Sequence, residues 1–298
     1  MEKRKGNTEE THLLTVQASD GTGVLAEVEG EGRVILILHP GMATSKNYAK
    51  VAARLARRYR VIRLHRRQYR LDLKTDPLRG SPCTIVEEVE HVLTIVKAVG
   101  EPVLLFGHSS GGTVALEALV ASPSSFVGGM IYEPASMIET AAGLRLGEER
   151  IERAGETSEG LKRARQALME GRPNRAFGTF MHVVGGLPSI LANLVGTLSA
   201  LFPDYYRLIP CQIDDMEALE RLGLRLDAYA KLNLPVAMVG GERSPESLKR
   251  IVVAVADVLP RGERIRLRRQ AWACHASDPQ QLADVMETFA KRVFEEVP

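Results

Sequence analysis

The sequence predicts an α/β protein, a mostly parallel sheet with helices on both faces and one inserted helical cap, and three observations carry that reading. From residue 33 onward, short apolar runs alternate with amphipathic stretches, the rhythm of strands buried on both faces and of the helices that cover them. Between residues 135 and 231 the rhythm stops and no convincing strand occurs. At residue 234 (LPVAMV) it resumes, so a helical segment interrupts the sheet. The 298 residues, 45% hydrophobic and 26% charged, suffice for one large globular core or two smaller ones.

Residues 12–28 (HLLTVQASDGTGVLAEV) alternate about Asp20-Gly21, as a hairpin does. Gly21-Thr22-Gly23 with Ala26 formally fits a dinucleotide fingerprint. That fingerprint must follow a buried strand and open a helix, and a hairpin turn does neither. Residues 33–39 (RVILILH) then read as a buried strand, 47–57 as a helix and 59–64 (YRVIRL) as a strand. A helix at 84–99, a strand at 102–107 (PVLLFG), a helix at 111–121 and a strand at 126–132 (FVGGMIY) follow. After the helical stretch come the strand at 234–239, a helix at 246–258, a strand at 263–267 and a last helix from 279 to 296. Arg264, Arg266 and Arg268 alternate with Ile265 and Leu267, as on an edge strand protected by charge. The expected organisation is a core of residues 1–134 and 232–298 with a cap of residues 135–231, and no internal repeat.

Lysine and arginine number 39 against 37 acidic residues, and the resulting +2 is too small for a chain whose main partner is nucleic acid. Cys83, Cys211 and Cys274 are few and far apart, so neither a disulfide framework nor a CxxC metal site is expected, and a reducing cytoplasm fits best. The opening MEKRKGNTEETHLL has no apolar core, so no secretory signal is expected. Residues 183–202 (VVGGLPSILANLVGTLSALF) match a membrane span in length, but Pro188, Asn193 and three glycines make them poor in lipid. A pair of short helices is expected there. No cluster of His, Cys or carboxylates has metal-ligand spacing, so neither metal nor cofactor is expected.

The strongest local signal is Gly107-His108-Ser109-Ser110-Gly111, directly after one expected strand and directly before a helix. This is G-x-S-x-G in the strand-turn-helix setting that gives the pattern meaning. The serine sits in a strained turn where side chains at the flanking positions would clash. Ser109 has glycines two before and two after it, whereas Ser110 has His108 at the earlier place. Ser109 is therefore the expected nucleophile, and Ser110 contributes a backbone N–H.

With these residues in place, the chain resembles the α/β-hydrolase superfamily over nearly its whole length. It has a first buried strand ending in His39-Pro40-Gly41, the GHSSGG elbow, a cap after the next strand and a late histidine before the last helix. The resemblance implies the α/β-hydrolase fold and a triad in the chain order nucleophile, acid, base, starting at Ser109 and ending at His275 in AWACHASDP. It also implies an oxyanion hole built on residues 39–42. Pro40 has no N–H, so the donors are Gly41 or Met42, joined by Ser110. The remaining histidines take structural roles: His39 shapes its loop, His108 fills the variable place of the elbow, and His12, His65, His91 and His182 lie on the surface or pack.

The acid departs from the common pattern. Where most relatives place an aspartate after the strand that resumes the sheet, this chain reads Gly240-Gly241-Glu242-Arg243-Ser244-Pro245, and Ser244 carries no charge. Glu133, in Tyr132-Glu133-Pro134 at the end of the neighbouring strand, is the preferred acid, and a bacterial subgroup with Tyr-Glu-Pro and Gly-Gly-x-x-Ser-Pro segments looks similar. Glu242, a cap residue such as Asp214 or Asp215, or no acid at all are the alternatives. Superfamily members that open epoxides or remove halides carry aspartate at the elbow, which sets this chain apart from them.

Eight arginines between positions 54 and 70 have no acid among them and read as a solvated helix end and loop. Arg66, Arg67 and Arg70 follow the end of a strand and are a second candidate, as attractors of an anionic substrate. Phe177, Phe180, Met181, Leu191, Leu194, Leu198 and Trp272 are available to line an apolar pocket or to pack the cap; Phe180, Met181 and Trp272 are the substrate-binding candidates. The expected function is a cofactor-independent serine hydrolase acting through an acyl-enzyme on an ester, thioester or lactone with a bulky apolar part. A cyclase or C–C bond-cleaving enzyme on the same fold and a catalytically silent ligand binder are the rivals. The expected partner is a small-molecule substrate, not nucleic acid or membrane, with a homodimer left open.

Overall fold

The structure is a computed structural model and describes residues 11–71, 73, 80–135 and 149–296. The opening residues, on which the absence of a secretory signal is expected, lie mostly outside the described residues. Eight strands form one sheet in the order β1-β2-β4-β3-β5-β6-β7-β8. Strands β1 (His12–Gln17) and β2 (Gly23–Glu29) are the expected hairpin, turning through Gly21 at φ 80°. Strand β2 also runs antiparallel to β4 (Arg60–Leu64), and every later pairing is parallel.

The continuous apolar runs are explained by burial on both sides. In β3 (Val34–Leu38) all five residues are buried. Leu36 and Leu38 face a core made with helices α2 (Ile85–Val99), α3 (Ser110–Ala121) and α10 (Glu246–Val258). Ile35 and Ile37 face the opposite core, closed by α1 (Ala49–Leu55) and α12 (Pro279–Glu295). Local chemistry sets the ends: Thr84 and Glu87 form a reciprocal capping box on α2, and Gly100 ends it at φ 79°. The helix expected at 47–57 is instead a 3₁₀ turn, Ser45–Tyr48, followed by α1, because Asn47 folds back to cap Thr44.

Between β6 (Phe126–Tyr132) and β7 (Val236–Gly241) the described residues contain helices and no strand: α4 (Glu149–Met169), α5 (Pro173–Val183), α6 (Ser189–Ser199), α7 (Pro203–Tyr206), α8 (Ile209–Leu222) and α9 (Leu226–Tyr229). Among the described residues no helix is long and apolar enough to cross a membrane. The uncharged stretch forms the end of α5 and all of α6, where Leu191, Leu194 and Leu198 are exposed.

The arginine-rich segment is solvated just after α1, where Arg57 and Arg58 are exposed, but not beyond it. Arg63, Arg66, Arg67 and Arg70 are all buried rather than solvated, and acids distant in sequence hold three of them. Arg63 pairs with Glu27 at 2.6 Å and Glu29 at 2.9 Å across the β2–β4 pairing, Arg66 with Glu88 and Asp215, and Arg67 with Glu87. Arg70 donates to the carbonyls of His65 and Gly23. These guanidinium groups are structural ties, and a substrate anion would have to displace their partners.

Candidate active site

The strand order reverses between β4 and β5, on either side of β3. Open α/β sheets present ligand crevices at such a point, beyond the carboxyl ends of the strands. Ser109 lies there, between β5 (Val103–His108) and α3, with φ 52° and ψ −124°. A non-glycine residue in that region stores about 1–3 kcal/mol of backbone strain. The surroundings hold it in place. Its N–H donates to the Tyr132 carbonyl at 2.9 Å, and its own carbonyl accepts from the N–H groups of Gly112, Thr113 and Ala135. A Cβ on Gly107 would fall 2.4 Å from the Gly111 oxygen, and one on Gly111 would fall 2.4 Å from the His39 oxygen. The two glycines are thus required by close backbone approach. The Ser109 hydroxyl makes no hydrogen bond among the described residues.

His275 lies in the short helix α11 (Cys274–Ser277) and is buried. Three aromatic rings of the core position it. The Tyr48 ring stacks on the imidazole at 5.0 Å, His108 meets it edge-on at 5.3 Å, and Tyr132 stacks on His108 at 4.4 Å. The Tyr132 hydroxyl donates to the Ala271 carbonyl and accepts from the Cys274 N–H, fixing the loop that carries His275. The Tyr48 hydroxyl and His108 Nδ1 share a hydrogen bond at 2.8 Å, and burial keeps the His108 ring neutral. Burial also pushes the His275 pKa down to about 4.

Glu133 directly follows β6 with φ 43°, and its N–H donates to Val239. Oε1 accepts the Gly241 N–H at 2.7 Å. Burial raises the carboxyl pKa, with the Ser244 hydroxyl, the Gly241 N–H and the Lys249 charge working against the rise. Among the described residues Glu133 Oε2, Ser244 Oγ and His275 Nδ1 are buried and without a hydrogen-bond partner. Ser109 and Glu133 thus follow the adjacent strands β5 and β6, and His275, carried beyond the last strand, meets the end of β5 at His108; among the described residues no hydrogen bond joins any two of the three. Ser244 is buried beside the carboxylate, where an aspartate would set a second negative charge against Glu133.

The other acids are committed elsewhere. Glu242 accepts from Arg266 and from the Arg269 N–H on the outer face. Asp214 pairs with Arg165 inside the inserted helices, and Asp215 with Arg66 and Tyr69.

The loop after β3 lies over the start of α3. The Gly41 N–H donates to Ser110 Oγ at 3.1 Å, while the N–H groups of Met42 and Ser110 have no acceptor among the described residues. Met42 takes φ 53°. Gln212 of α8 closes over Gly41, its Oε1 2.0 Å from where a Cβ would be, so a side chain there would have to push the Gln212 amide aside. Phe177 and Phe180 stack at 6.1 Å and pack with Met42 against Ala164, Ala176, Ile209 and Ile213. Met181 is half-buried and Trp272 is 55% exposed, three residues from His275.

Sequence reasoning missed the tie beneath this loop. Arg66 Nε and Nη2 grip Glu88 at 2.6 and 2.8 Å, Nη2 also reaches Asp215 Oδ1 at 2.7 Å, and Nη1 donates to Ser110 Oγ at 2.8 Å. Tyr69 donates to the second oxygen of Asp215 at 2.8 Å. Burial alone would lower the Arg66 pKa; Asp215 and Glu88 override it and hold the guanidinium charged. No local spacing announces a partner 149 positions away.

A model of the alpha/beta hydrolase family matches residues 35–285. A curated protein of Bacillus subtilis (strain 168), called uncharacterized hydrolase YraK, is 26% identical over 114 residues, which are 38% of this chain and 42% of that relative. The match therefore spans less than half of that relative's length. Among solved structures, an alpha/beta hydrolase from Sphaerobacter thermophilus DSM 20745 superposes with a TM-score of 0.70 at 23% identity, covering 93% of this chain and 99% of that one. Est816, described as an N-acyl homoserine lactone degrading enzyme, does so with 0.66 at 16% identity, covering 93% and 100%. The esterase RhEst1 from Rhodococcus sp. ECU1013 gives 0.64 at 20% identity, covering 94% and 99%. At these identities the likeness is one of fold.

Proposed function

Because the chain belongs to the alpha/beta hydrolase family and is an enzyme of hydrolase type, we propose that it is a serine hydrolase that cleaves an ester, thioester or lactone through an acyl-enzyme on Ser109. The observation that carries this reading is the backbone of Ser109, held at φ 52° and ψ −124° by four hydrogen bonds and two obligatory glycines, with its hydroxyl unpaired. Strain maintained at such cost presents the hydroxyl at the head of a helix, where a nucleophile is needed.

In the reaction Ser109 Oγ attacks the carbonyl carbon while His275 takes its proton. The carbonyl π pair moves onto oxygen, which rests on the free N–H groups of Met42 and Ser110. His275 then returns the proton to the leaving oxygen or sulfur, and water repeats the sequence to release the acid. Glu133 orients the imidazole. Its orphaned Oε2 and the orphaned His275 Nδ1 are a complementary acceptor and donor, and pairing them satisfies both buried atoms. The apolar group of Met42, Phe177 and Phe180 beside the oxyanion loop supports a substrate with a bulky apolar acyl part.

A fluorophosphonate tests this. The expected result is a single covalent adduct that maps to Ser109, no adduct in Ser109→Ala, and hydrolysis of p-nitrophenyl esters by the wild type alone. Absence of any adduct on the folded wild type favours the silent binder, whose support is the unclosed contact between Glu133 and His275. An adduct without ester hydrolysis points to non-hydrolytic chemistry at the same serine.

A further inference from the structure

Ser110 is 1% exposed, and its hydroxyl is placed unlike an ordinary helix-start serine. A hydroxyl has two acceptor sites and one hydrogen to donate. Both acceptor sites of Ser110 Oγ are filled, by the Gly41 N–H at 3.1 Å and by Arg66 Nη1 at 2.8 Å. Neither donor is free to turn away. Gly41 is backbone in the loop after β3, with Gln212 against it, and Arg66 is clamped on its other two nitrogens by Glu88 and Asp215. The Ser110 hydrogen then has no acceptor among the described residues, and Oγ itself joins the start of α3 to the loop after β3, the two segments whose Ser110 and Met42 N–H groups are also free. Nothing in the fold needs that proton.

We propose that the Ser110 hydroxyl is a third oxyanion donor, oriented by the Gly41 N–H and polarised by Arg66. The inference rests on Ser109 being the nucleophile. As Ser109 Oγ bonds to the carbonyl carbon and the π pair moves onto oxygen, Ser110 O–H supplies a hydrogen bond to that oxygen and keeps its proton throughout. Arg66, already donating to Ser110 Oγ, strengthens this bond as charge develops, because hydrogen bonds in a chain polarise one another. The guanidinium never touches substrate; it is a positioning residue, and Ser110 is the catalytic one. The arrangement also accounts for the diversion of the Gly41 N–H. That backbone donor acts on the oxyanion indirectly, through the hydroxyl it orients.

The test begins with fluorophosphonate labelling of the wild type. If Ser109 is not labelled, the serine-hydrolase reading falls and this one with it. With labelling established, Ser110→Ala is compared with the wild type on p-nitrophenyl butyrate and on a trifluoromethyl ketone, which places a charged oxygen in the hole. Loss of one oxyanion donor costs about 100- to 1000-fold in kcat where the donor is the main one. For a donor that shares the oxygen with two others, kcat should fall about 10- to 100-fold. KM should stay within about twofold and affinity for the ketone should fall in proportion to kcat/KM. Ser110→Cys keeps a weaker donor of similar size, should fall between the two, and serves if the alanine variant does not fold. Either of two results overturns the proposal while leaving Ser109 in its role: kcat within twofold of the wild type, or a fall in kcat with unchanged ketone affinity, which marks Ser110 as a tether only.

Discussion

Glu133→Gln should leave the fold intact and slow the chemical step by at least about 10³-fold. Glutamine matches the shape of the carboxylate and retains an oxygen for the Gly241 N–H, which the side chain accepts at 2.7 Å. Burial already disfavours the charged carboxylate, so the neutral amide relieves a desolvation cost rather than adding one. What disappears is the charge facing the imidazolium. When the two groups close to about 4 Å in the proposed triad, an effective dielectric near 20 gives that charge about 4 kcal/mol, and each 1.36 kcal/mol is roughly tenfold in rate. The amide also offers a donor toward Nδ1, favouring the wrong tautomer. In the best-known serine triad, the corresponding aspartate-to-asparagine change costs about 10⁴-fold. Single-turnover acylation with a p-nitrophenyl ester reads the chemical step, and thermal unfolding controls for structure. A change in the acylation rate smaller than about threefold, under 1 kcal/mol, would remove Glu133 from the triad. Ser244→Asp in the Glu133→Gln background restores a carboxylate beside residue 133 and should recover part of the rate. In the wild-type background the same change sets two carboxylates together and should destabilise the protein.

Ser109→Ala should abolish turnover with an unchanged melting temperature, since the residue is only partly buried and the change removes one hydroxyl; retained turnover would move the nucleophile elsewhere. Asp215→Ala breaks a fully buried pair and leaves Arg66 with Glu88 alone, so unfolding free energy should fall by about 3–5 kcal/mol, measured by urea denaturation. A loss below about 1 kcal/mol would show that the pair contributes little. Burial pushes the His275 pKa down to about 4, so the acidic limb of kcat/KM should lie well below the ordinary histidine value of 6.5. The same group is neutral in the fold, so its contribution to stability is complete above pH 6.5 and is lost as pH falls toward 4. A limb at or above 6.5 would mean that the Glu133 charge outweighs burial.

The parts of this protein that were legible in its sequence are those dictated by neighbours in the chain. The elbow is one, because the glycines at 107 and 111 answer clashes within a few residues of Ser109. The strands buried on both faces are another, because their apolar runs leave no other reading. The arginine segment misled for the opposite reason. Inspection of residues 54–70 finds no acid, yet the antiparallel pairing of β2 with β4 sets Glu27 opposite Arg63, and the inserted helices bring Asp215 onto Arg66. The aromatic clamp on His275 was hidden likewise, since Tyr48, His108 and Tyr132 meet only once three strands are aligned. Ser110 was read as a backbone donor; its side chain acquires meaning from Arg66, which no motif contains.

The Arg66 tie has a consequence for exchanging parts between relatives. Its four hydrogen-bonded partners come from the helix after the elbow, from α2, from α8 of the insertion and from the end of β3. The inserted helices are therefore wired into the floor of the loop after β3. A chimaera that takes its insertion from another member of the family and lacks a carboxylate at the place of Asp215 would leave a buried cation short of an anion, and the loop bearing Gly41 short of its brace. Substrate range in this protein should thus change readily by substitution within α5 and α6, and only together with Arg66 when α8 is replaced.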